Sequence, residues 1–290
     1  MVSEPYIGRF APSPTGPLHF GSLVTALASY LDARHNQGLW LLRIEDLDPP
    51  RESRRAPKEI KAQLRSCGLE WDKEVLYQSS RIALYHAHLK RLAETGASYP
   101  CTCVRKKTPR LYPGLCRKKT FNSAIEPFSI RLKVDESLVE FRDLFYGMRS
   151  YNGQTEVGDF IIRRKDGLIA YQLAVITDDA LQGVTHIIRG SDLLASTAKQ
   201  IYLAKALKLP IPSYGHIPVV IDNQGQKLSK QSHARPIDKS SPLSMLKLAL
   251  KALGQDPQTH ATSPKKLLQS ASNCWERYLV PKTHYIYRSI

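Results

Sequence analysis

The first loop constrains the fold more than any other stretch of this chain. A short β-prone run, Tyr6–Phe10, leads into segment 11–17, where prolines and a glycine stiffen the backbone. A helical pattern with leucines at four-residue spacing covers Phe20–Arg34, and the apolar run Leu39–Ile44 then predicts a buried strand. Strand, tight loop, helix and strand form a βαβ unit, which predicts a parallel sheet.

The helical patterns at Lys58–Ser66 and Arg81–Glu94 extend this first domain. From Tyr99 to about Gly158 the composition changes to cysteines, basic residues and short β-like runs such as Phe128–Lys133. This change predicts an insertion into the sheet domain.

Beyond the insertion, the runs Asp159–Arg164 and Leu168–Ile176 flank Asp166-Gly167, a dipeptide typical of a hairpin turn. Val184–Arg189 indicates a further strand. Ser191 is placed to cap the N-terminus of a helix that continues to Leu207.

The last predicted strand, Ile217–Ile221, precedes a lysine-containing loop. The rest of the chain has helical patterns. Ser241-Pro242 is a typical helix start, Gly254 a typical stop after Leu243–Leu253, and a second helix follows Pro264.

Charge gives a first indication of the partners. The chain has 42 lysines and arginines against 26 acidic residues, a net charge of +16. Such a field attracts polyanions, so nucleic acid is the leading expected partner. ATP or an anionic membrane would be attracted too, and the charge could also serve solubility alone.

No apolar run reaches roughly 18 residues, and the N-terminus lacks a secretory signal. We therefore expect no membrane association and a cytoplasmic location.

Two loops carry residues suited to binding phosphates. The helix after the first loop begins at His19-Phe20-Gly21, so its free N–H groups and positive end face the turn. Gly21 permits close approach of a nucleotide, and His19 can donate a hydrogen bond to a phosphoryl oxygen. Lys227 and Lys230 can close over a polyphosphate and neutralise developing charge. Either loop alone is also typical of an ordinary protein surface.

Cysteine spacing indicates a metal site. Cys101, Cys103 and Cys116 lie close together among five cysteines, an odd total that argues against a disulfide framework. Three thiolates suit Zn²⁺ in tetrahedral geometry, with a fourth ligand from nearby; reduced core cysteines are the alternative. A basic set surrounds the cluster and suggests a phosphate-facing surface or a solvated face: Arg105, Lys106, Lys107, Arg110, Arg117, Lys118 and Lys119.

Taken together, the two loops resemble the signatures of class I aminoacyl-tRNA synthetases. His19-Phe20-Gly21-Ser22 resembles the "HIGH" signature, and Lys227-Leu228-Ser229-Lys230-Gln231 resembles "KMSKS". The similarity runs from about residue 6 to about residue 235. Further stretches look like the glutamyl branch of that class: 9–16, 43–46, 170–174 and 186–192.

The resemblance implies an α/β fold: the Rossmann-type parallel sheet of class I synthetases with a zinc-containing insertion and a short helical C-terminal subdomain. It also implies Tyr112 as the fourth zinc ligand, with water as the alternative. We expect four segments: the first half of the catalytic domain at 1–98, the inserted zinc-binding and acceptor-like subdomain at 99–158, the second half with the lysine loop at 159–235, and the helical subdomain at 236–290.

The resemblance further implies activation of glutamate by ATP. Arginine forks match carboxylates, so Arg9 and Arg189 are the expected binding groups, with Glu45 facing the α-ammonium. The implied glutamate site comprises Arg9, Phe10, Ala11, Pro12, Ser13, Glu45, Tyr171 and Arg189. The implied ATP site comprises His19, Gly21, Ser22 and Lys230, with Mg²⁺ held mainly by the phosphates. The implied catalytic residues are His19, Lys227 and Lys230.

The sequence ends at residue 290, which leaves room for two or three helices after the lysine loop. We therefore expect no anticodon-binding domain, as in the glutamyl-Q tRNA(Asp) synthetase family. That resemblance implies tRNA-independent activation of glutamate and its transfer to queuosine in the anticodon loop of tRNA(Asp). The alternatives are a shortened glutamyl-tRNA synthetase that charges a 3′ end, or a non-catalytic tRNA-binding module. We expect a monomer.

Overall fold

Parallel strand pairing organises the N-terminal part of the protein. The computed structural model describes residues 5–104, 108–109, 111–119, 127–222, 224–225, 228 and 236–287. The first elements are β1 (Ile7–Phe10), α1 (Phe20–His35), β2 (Leu39–Ile44), α2 (Ala56–Ser66), β3 (Asp72–Tyr77) and α3 (Ile82–Glu94). Both β1 with β2 and β2 with β3 pair in parallel, which confirms the predicted βαβ unit. Its helix packs tightly because Leu23, Leu27 and Leu31 are fully buried.

The middle of the chain forms antiparallel strands. They are β4 (Ser98–Cys101), β5 (Ser129–Leu132), β6 (Leu138–Asp143), β7 (Gly147–Asn152) and β8 (Ile161–Arg163). Strands β4, β5 and β8 form one sheet, and β6 pairs with β7 as a hairpin. The β-like run predicted at Phe128–Lys133 is confirmed as β5.

The parallel sheet continues after the antiparallel strands. The elements are α4 (Tyr171–Leu181), β9 (His186–Gly190), α5 (Leu194–Ala206), β10 (Ser213–Ile217) and β11 (Val219–Ile221). Strand β9 pairs in parallel with β10. The amide of Thr185 donates to the carbonyl of Ile7 over 2.9 Å, so β9 lies beside β1. The carboxyl ends of β1, β2 and β9 therefore meet at one edge.

Two local predictions are wrong. The turn at Asp166-Gly167 forms, but its second arm contributes only a bridge at Ile169 before helix α4 begins at Tyr171. The segment forms a helix instead of a strand because all seven residues from Leu173 to Asp179 are buried in α4. A strand with one buried face would bury only alternate residues. Ser191 does not cap α5; it starts a short 3₁₀ turn, and its hydroxyl donates to the carbonyl of His284 over 2.9 Å.

The C-terminal segment packs back onto the catalytic sheet. Its elements are α6 (Pro242–Ala252), α7 (Pro264–Asn273) and β12 (Tyr285–Tyr287). Both helices confirm the prediction, and Gly254 ends the first with a φ of +70°. The sequence did not predict β12, which pairs in parallel with β11. No helix in the described ranges is both long and apolar enough to span a lipid bilayer.

A buried carboxylate fastens this segment to α1. Asp32 accepts hydrogen bonds from Trp275 Nε1 over 2.9 Å and from Arg277 Nε over 2.7 Å. The Tyr6 hydroxyl also donates to Asp32. One side chain therefore joins the residue that precedes β1, helix α1 and the segment that follows α7.

Candidate active site

The candidate site is a cleft of about 420 Å³ at the carboxyl ends of β1, β2 and β9. Ligands commonly bind at this edge of a parallel sheet, because the loops that follow the strands converge there. The lining includes every predicted glutamate- or nucleotide-binding residue within the described ranges: Arg9, Phe10, Ala11, Pro12, Ser13, His19, Gly21, Ser22, Glu45, Tyr171 and Arg189. Lys227 and Lys230 lie outside the described residues.

His19 caps the N-terminus of α1. Its Nδ1 accepts a hydrogen bond from the Ser22 amide over 3.2 Å, which places the proton of a neutral imidazole on Nε2. That Nε2 lies 3.1 Å from the Ser22 hydroxyl. The cap thus presents an N–H donor at the positive end of the helix, where an anion binds favourably. A Cβ added at Gly21 would lie 3.3 Å from the His19 ring, so glycine keeps this corner uncrowded.

The described ends of the lysine loop lie at the same corner. The Leu228 amide donates to the Val220 carbonyl over 2.9 Å, and Leu228 lines the cleft. On the other side of the loop, Pro236 bridges to His19, and the Ile237 amide donates to the Leu18 carbonyl over 2.9 Å. Leu228 therefore lines the same cleft as the first loop, and the described residues that follow the lysine loop contact the start of α1.

Four charged side chains form a buried ion network at one side of the cleft. Arg9 donates Nε and Nη2 to the two carboxylate oxygens of Asp179, over 3.2 and 3.3 Å. Arg43 Nη1 lies 2.8 Å from Asp179 Oδ1, and its Nη2 lies 3.4 Å from Glu45 Oε1. Arg9 therefore offers a ligand chiefly its remaining Nη1 edge.

The pKa values of the two carboxylates in this network shift in opposite directions. Burial alone would raise the pKa of Asp179, but Arg43 and Arg9 outweigh burial and lower it. Burial raises the pKa of Glu45 despite the same two arginines. Asp179 is therefore the more readily ionised of the two. A further positive charge that enters the cleft would lower the pKa of Glu45 and favour its ionised form.

Arg189 is held on several sides beneath the cleft. Its Nη1 lies 3.4 Å from the Tyr171 hydroxyl, and its Nη2 donates to Thr197 Oγ1 over 2.5 Å. Its Nε donates to His216 Nε2 over 3.1 Å. The guanidinium also lies 5.1 Å from the centre of the Tyr214 ring. A planar group held in this way is preorganised for a carboxylate.

Sequence reasoning missed the residues behind this surface. Asp179 and His216 lie outside the stretches that resemble the family, and Arg43 lies in the stretch 43–46 but was not predicted as a site residue. Each of the three contacts a predicted site residue. A signal was present for Arg43, because it is a charged residue inside the otherwise apolar strand Leu39–Ile44.

The three clustered cysteines lie together in the antiparallel region. The Sγ atoms of Cys101, Cys103 and Cys116 all lie within 4.8 Å of one another. The Tyr112 hydroxyl lies 3.4 Å from Cys101 Sγ and 3.3 Å from Cys103 Sγ. Burial raises the pKa of the Cys116 thiol, but hydrogen bonds, first that of Tyr112, outweigh burial and lower the pKa to about 7. A thiolate is therefore accessible at neutral pH.

The structure describes only part of the predicted basic set around the cysteines, and the described members differ in exposure. Arg105, Lys106, Lys107 and Arg110 lie outside the described residues. Arg117 does not face solvent freely, because its Nε and Nη2 bind the Asp159 carboxylate over 2.7 and 2.5 Å. Lys118 and Lys119 are exposed.

Comparison with known proteins gives consistent matches. Residues 7–111 and 114–244 match the family described as tRNA synthetases class I (E and Q), catalytic domain. The glutamyl-Q tRNA(Asp) synthetase of Ectopseudomonas mendocina (strain ymp) is 48% identical over 97% of both chains. That of Burkholderia cenocepacia (strain ATCC BAA-245) is 45% identical, over 96% of this chain and 98% of its own.

Solved structures are similar as well. A glutamate tRNA ligase from Elizabethkingia meningosepticum, crystallised in complex with its amino acid, superposes with a TM-score of 0.81 at 25% identity. The match covers 99% of this chain and 67% of the ligase. A glutamate-tRNA synthetase from Elizabethkingia anophelis gives 0.79 at the same identity.

The Asp179 network predicts a pH-dependent stability difference. Asp179→Asn should lower the free energy of unfolding by about 3–5 kcal/mol near pH 7, because two buried guanidinium groups lose a shared anion. The folded-state pKa of Asp179 lies below its ordinary value, so its stabilisation is complete above about pH 4 and is lost as pH falls through the folded-state pKa. The deficit measured by urea unfolding should therefore shrink below pH 4. The exposed Glu74→Gln is the matched control, and a deficit that is equal at pH 7 and pH 3 would contradict the assignment.

Proposed function

The chain belongs to the class I tRNA synthetase family, on the branch specific for glutamate and glutamine and among its glutamyl-Q tRNA(Asp) synthetases. We propose on that basis that it activates L-glutamate with ATP in the absence of tRNA and transfers the glutamate to queuosine at the wobble position of tRNA(Asp). The observation that carries the proposal is one cleft that combines two buried arginines with a histidine-capped helix N-terminus.

We assign the amino acid to the Arg9–Arg189 side of the cleft. Glutamate has two carboxylates and one ammonium. Arg9 and Arg189 both line the cleft, and each is left with Nη1 for a ligand because its Nε and Nη2 are held by protein partners. The ammonium is assigned to Glu45, whose ionised form it would favour. Tyr171 supplies a hydroxyl and a flat wall, and Ser13 a further hydrogen bond. The backbone of Phe10–Pro12 completes the wall, with the Pro12 carbonyl fixed by the Glu45 amide over 3.1 Å.

We assign ATP to the corner formed by α1 and the lysine loop. The glutamate α-carboxylate attacks the α-phosphorus; the new carboxyl O–P bond forms as the bond to the bridging oxygen breaks and pyrophosphate leaves. The step requires no general base, so catalysis consists of positioning and charge stabilisation. His19 Nε2–H is assigned to the α-phosphate, Gly21 and Ser22 to the adjoining backbone, and Lys227 and Lys230 to the leaving pyrophosphate with Mg²⁺.

We propose that the cysteine cluster holds one structural Zn²⁺. Sulfur ligands of tetrahedral zinc lie about 3.8 Å apart, given a Zn–S distance of about 2.3 Å. The three Sγ atoms lie within 4.8 Å of one another, and those of Cys103 and Cys116 are 3.5 Å apart, so the donor set fits. Tyr112 is the proposed fourth ligand because its oxygen faces the sulfurs, and water is the alternative. When bound, the ion would link β4 to the segment around Cys116.

We propose that the RNA partner binds through its anticodon stem-loop to basic side chains on the protein surface. A net charge of +16 favours a polyanion, and the exposed Lys118 and Lys119 add to the field. The division into segments 1–98, 99–158, 159–235 and 236–290 is proposed on the change from parallel to antiparallel pairing and back. A monomeric state and a cytoplasmic location stay predictions.

Stacked rings beside the cleft suit an unpaired RNA loop. Arg149 lies 5.3 Å from the centre of the Tyr146 ring, which stacks on His284 at 5.4 Å. Tyr285 follows in the chain and is 59% exposed. The row adjoins the cleft because the His284 carbonyl accepts from the amide of Val219, a lining residue, over 2.9 Å. Cations and exposed aromatic rings together are typical of single-stranded RNA binding.

The proposed reaction is tested with labelled glutamate, ATP and tRNA(Asp) with or without queuosine. We expect glutamate-dependent ATP–pyrophosphate exchange without tRNA, and label only on queuosine-containing tRNA, in the anticodon fragment after nuclease digestion. Label on the 3′-terminal fragment would instead indicate a shortened glutamyl-tRNA synthetase. Absence of exchange would indicate a binding module.

Metal analysis tests the zinc proposal. Purified protein should contain about one zinc per chain, and Cys103→Ser should lose most of it because a thiolate ligand is removed. Cys274→Ser, which changes an exposed cysteine outside the cluster, should retain the metal. A protein without zinc even after supplementation would refute the site.

The RNA surface is tested at Tyr285. Tyr285→Ala should raise the KM for tRNA about tenfold in the transfer reaction, since loss of base stacking costs about 1–3 kcal/mol. Tyr285→Phe retains the ring and should behave as the unaltered enzyme, and exchange without tRNA should be unaffected in both. Equal KM values for all three proteins would argue against the surface.

A further inference from the structure

We propose that Asp143 and His216 are positioning residues that set the amino acid affinity by fixing Arg189. Asp143 holds His216 in a single tautomer whose Nε2 lone pair receives the Arg189 Nε–H. The inference rests on the proposed function, because it takes Arg189 to be a glutamate-binding group. Neither residue lines the cleft.

The Asp143 carboxylate can act only as an acceptor here. Its Oδ1 accepts hydrogen bonds from the amides of Phe145 and Tyr146, each over 2.9 Å. Its Oδ2 lies 2.5 Å from His216 Nδ1. Burial alone would raise the pKa of Asp143, but the hydrogen bond to His216 and those two amides outweigh burial and lower it. An ionised carboxylate facing Nδ1 requires the imidazole proton to be on Nδ1.

The opposite nitrogen of the ring then serves Arg189. His216 Nε2 lies 3.1 Å from Arg189 Nε and 3.0 Å from Thr197 Oγ1. A guanidinium has donors only, so Nε2 must offer its lone pair, and the imidazole is neutral. Burial lowers the pKa of His216 and outweighs the hydrogen bond to Asp143; Arg189 lowers it further. Both ends of the ring therefore require the same tautomer.

The arrangement is rigid because it is buried and spans three elements. Asp143 ends β6, His216 lies in β10 and Arg189 in β9, and their exposed fractions are 2%, 0% and 3%. With Nε held by His216 and Nη2 by Thr197, the orientation of the guanidinium is fixed, and Nη1, beside the Tyr171 hydroxyl, is the nitrogen left for a ligand. Binding is stronger when the receiving group needs no reordering.

Asp143→Asn separates positioning from simple structural support. The asparagine carbonyl oxygen can keep the two backbone amides, so its NH₂ group must donate to His216 Nδ1. That bond moves the imidazole proton to Nε2, where it meets the Arg189 Nε–H as a second donor. Thr197 Oγ1 can receive the new Nε2–H, but Arg189 Nε–H loses its acceptor. We expect the KM for glutamate in ATP–pyrophosphate exchange to rise about tenfold to hundredfold, as for loss of a hydrogen bond to a charged group. The KM for ATP should remain within about twofold.

Two further variants complete the design. His216→Gln places an amide oxygen where Nε2 was and should restore part of the glutamate affinity that His216→Ala loses. Glu140→Gln removes an exposed charge from the same strand as Asp143 and should leave both KM values unchanged. Nitrogen-15 NMR of the histidine rings gives a readout without glutamate: His216 should carry its proton on Nδ1 in the unaltered protein and on Nε2 in Asp143→Asn.

The outcomes are distinct. A tautomer change with a raised KM for glutamate alone supports the inference. An unchanged KM for glutamate, or an equal rise in both KM values together with lost stability, overturns it. If the unaltered protein shows no glutamate-dependent exchange, the proposed function fails; the NMR result then reports independently whether Asp143 sets the tautomer.

Discussion

The geometry of the cleft depends on the shared ion pair at Asp179. Arg9 lies in β1 and Arg43 in β2, which are adjacent parallel strands. Both guanidinium groups contact the carboxylate of Asp179 on α4. Without that anion, two buried like charges would face each other under the cleft, a costly arrangement in a medium of low polarity. Asp179 therefore sets the spacing of the strand ends and the orientation of Arg9 together.

Much of the fold was predictable from the sequence because its signals were local. The apolar run Leu39–Ile44 and the leucine spacing of α1 report burial directly, and both of these elements formed. The second arm of the expected hairpin failed for a physical reason. A short apolar run has the same composition in a buried strand and in a buried helix, and only tertiary packing selected the helix that starts at Tyr171. Strand β12 was missed because its pairing with β11 is a long-range contact.

The site was predictable where residues belong to motifs. His19 and Arg189 lie in stretches that resemble known signatures, and the structure brings both to one cleft. The residues that hold these side chains were not predictable in the same way. Asp143 and His216 are 73 positions apart, and nothing in the local sequence of either indicates the other. Their relation follows from hydrogen-bond geometry, which exists only after β6 packs beside β10.

Strand β1 has a consequence for how the protein folds. Ile7 is bound through Thr185, which lies 178 positions further along the chain, and that contact brings the two halves of the parallel sheet together. Closing so long a loop must precede any benefit from the contact, which slows folding relative to proteins rich in local contacts. Neither half presents both arginines by itself. The binding cleft therefore requires both halves of the sheet to be folded and packed together, because each half contributes only one of the two arginines.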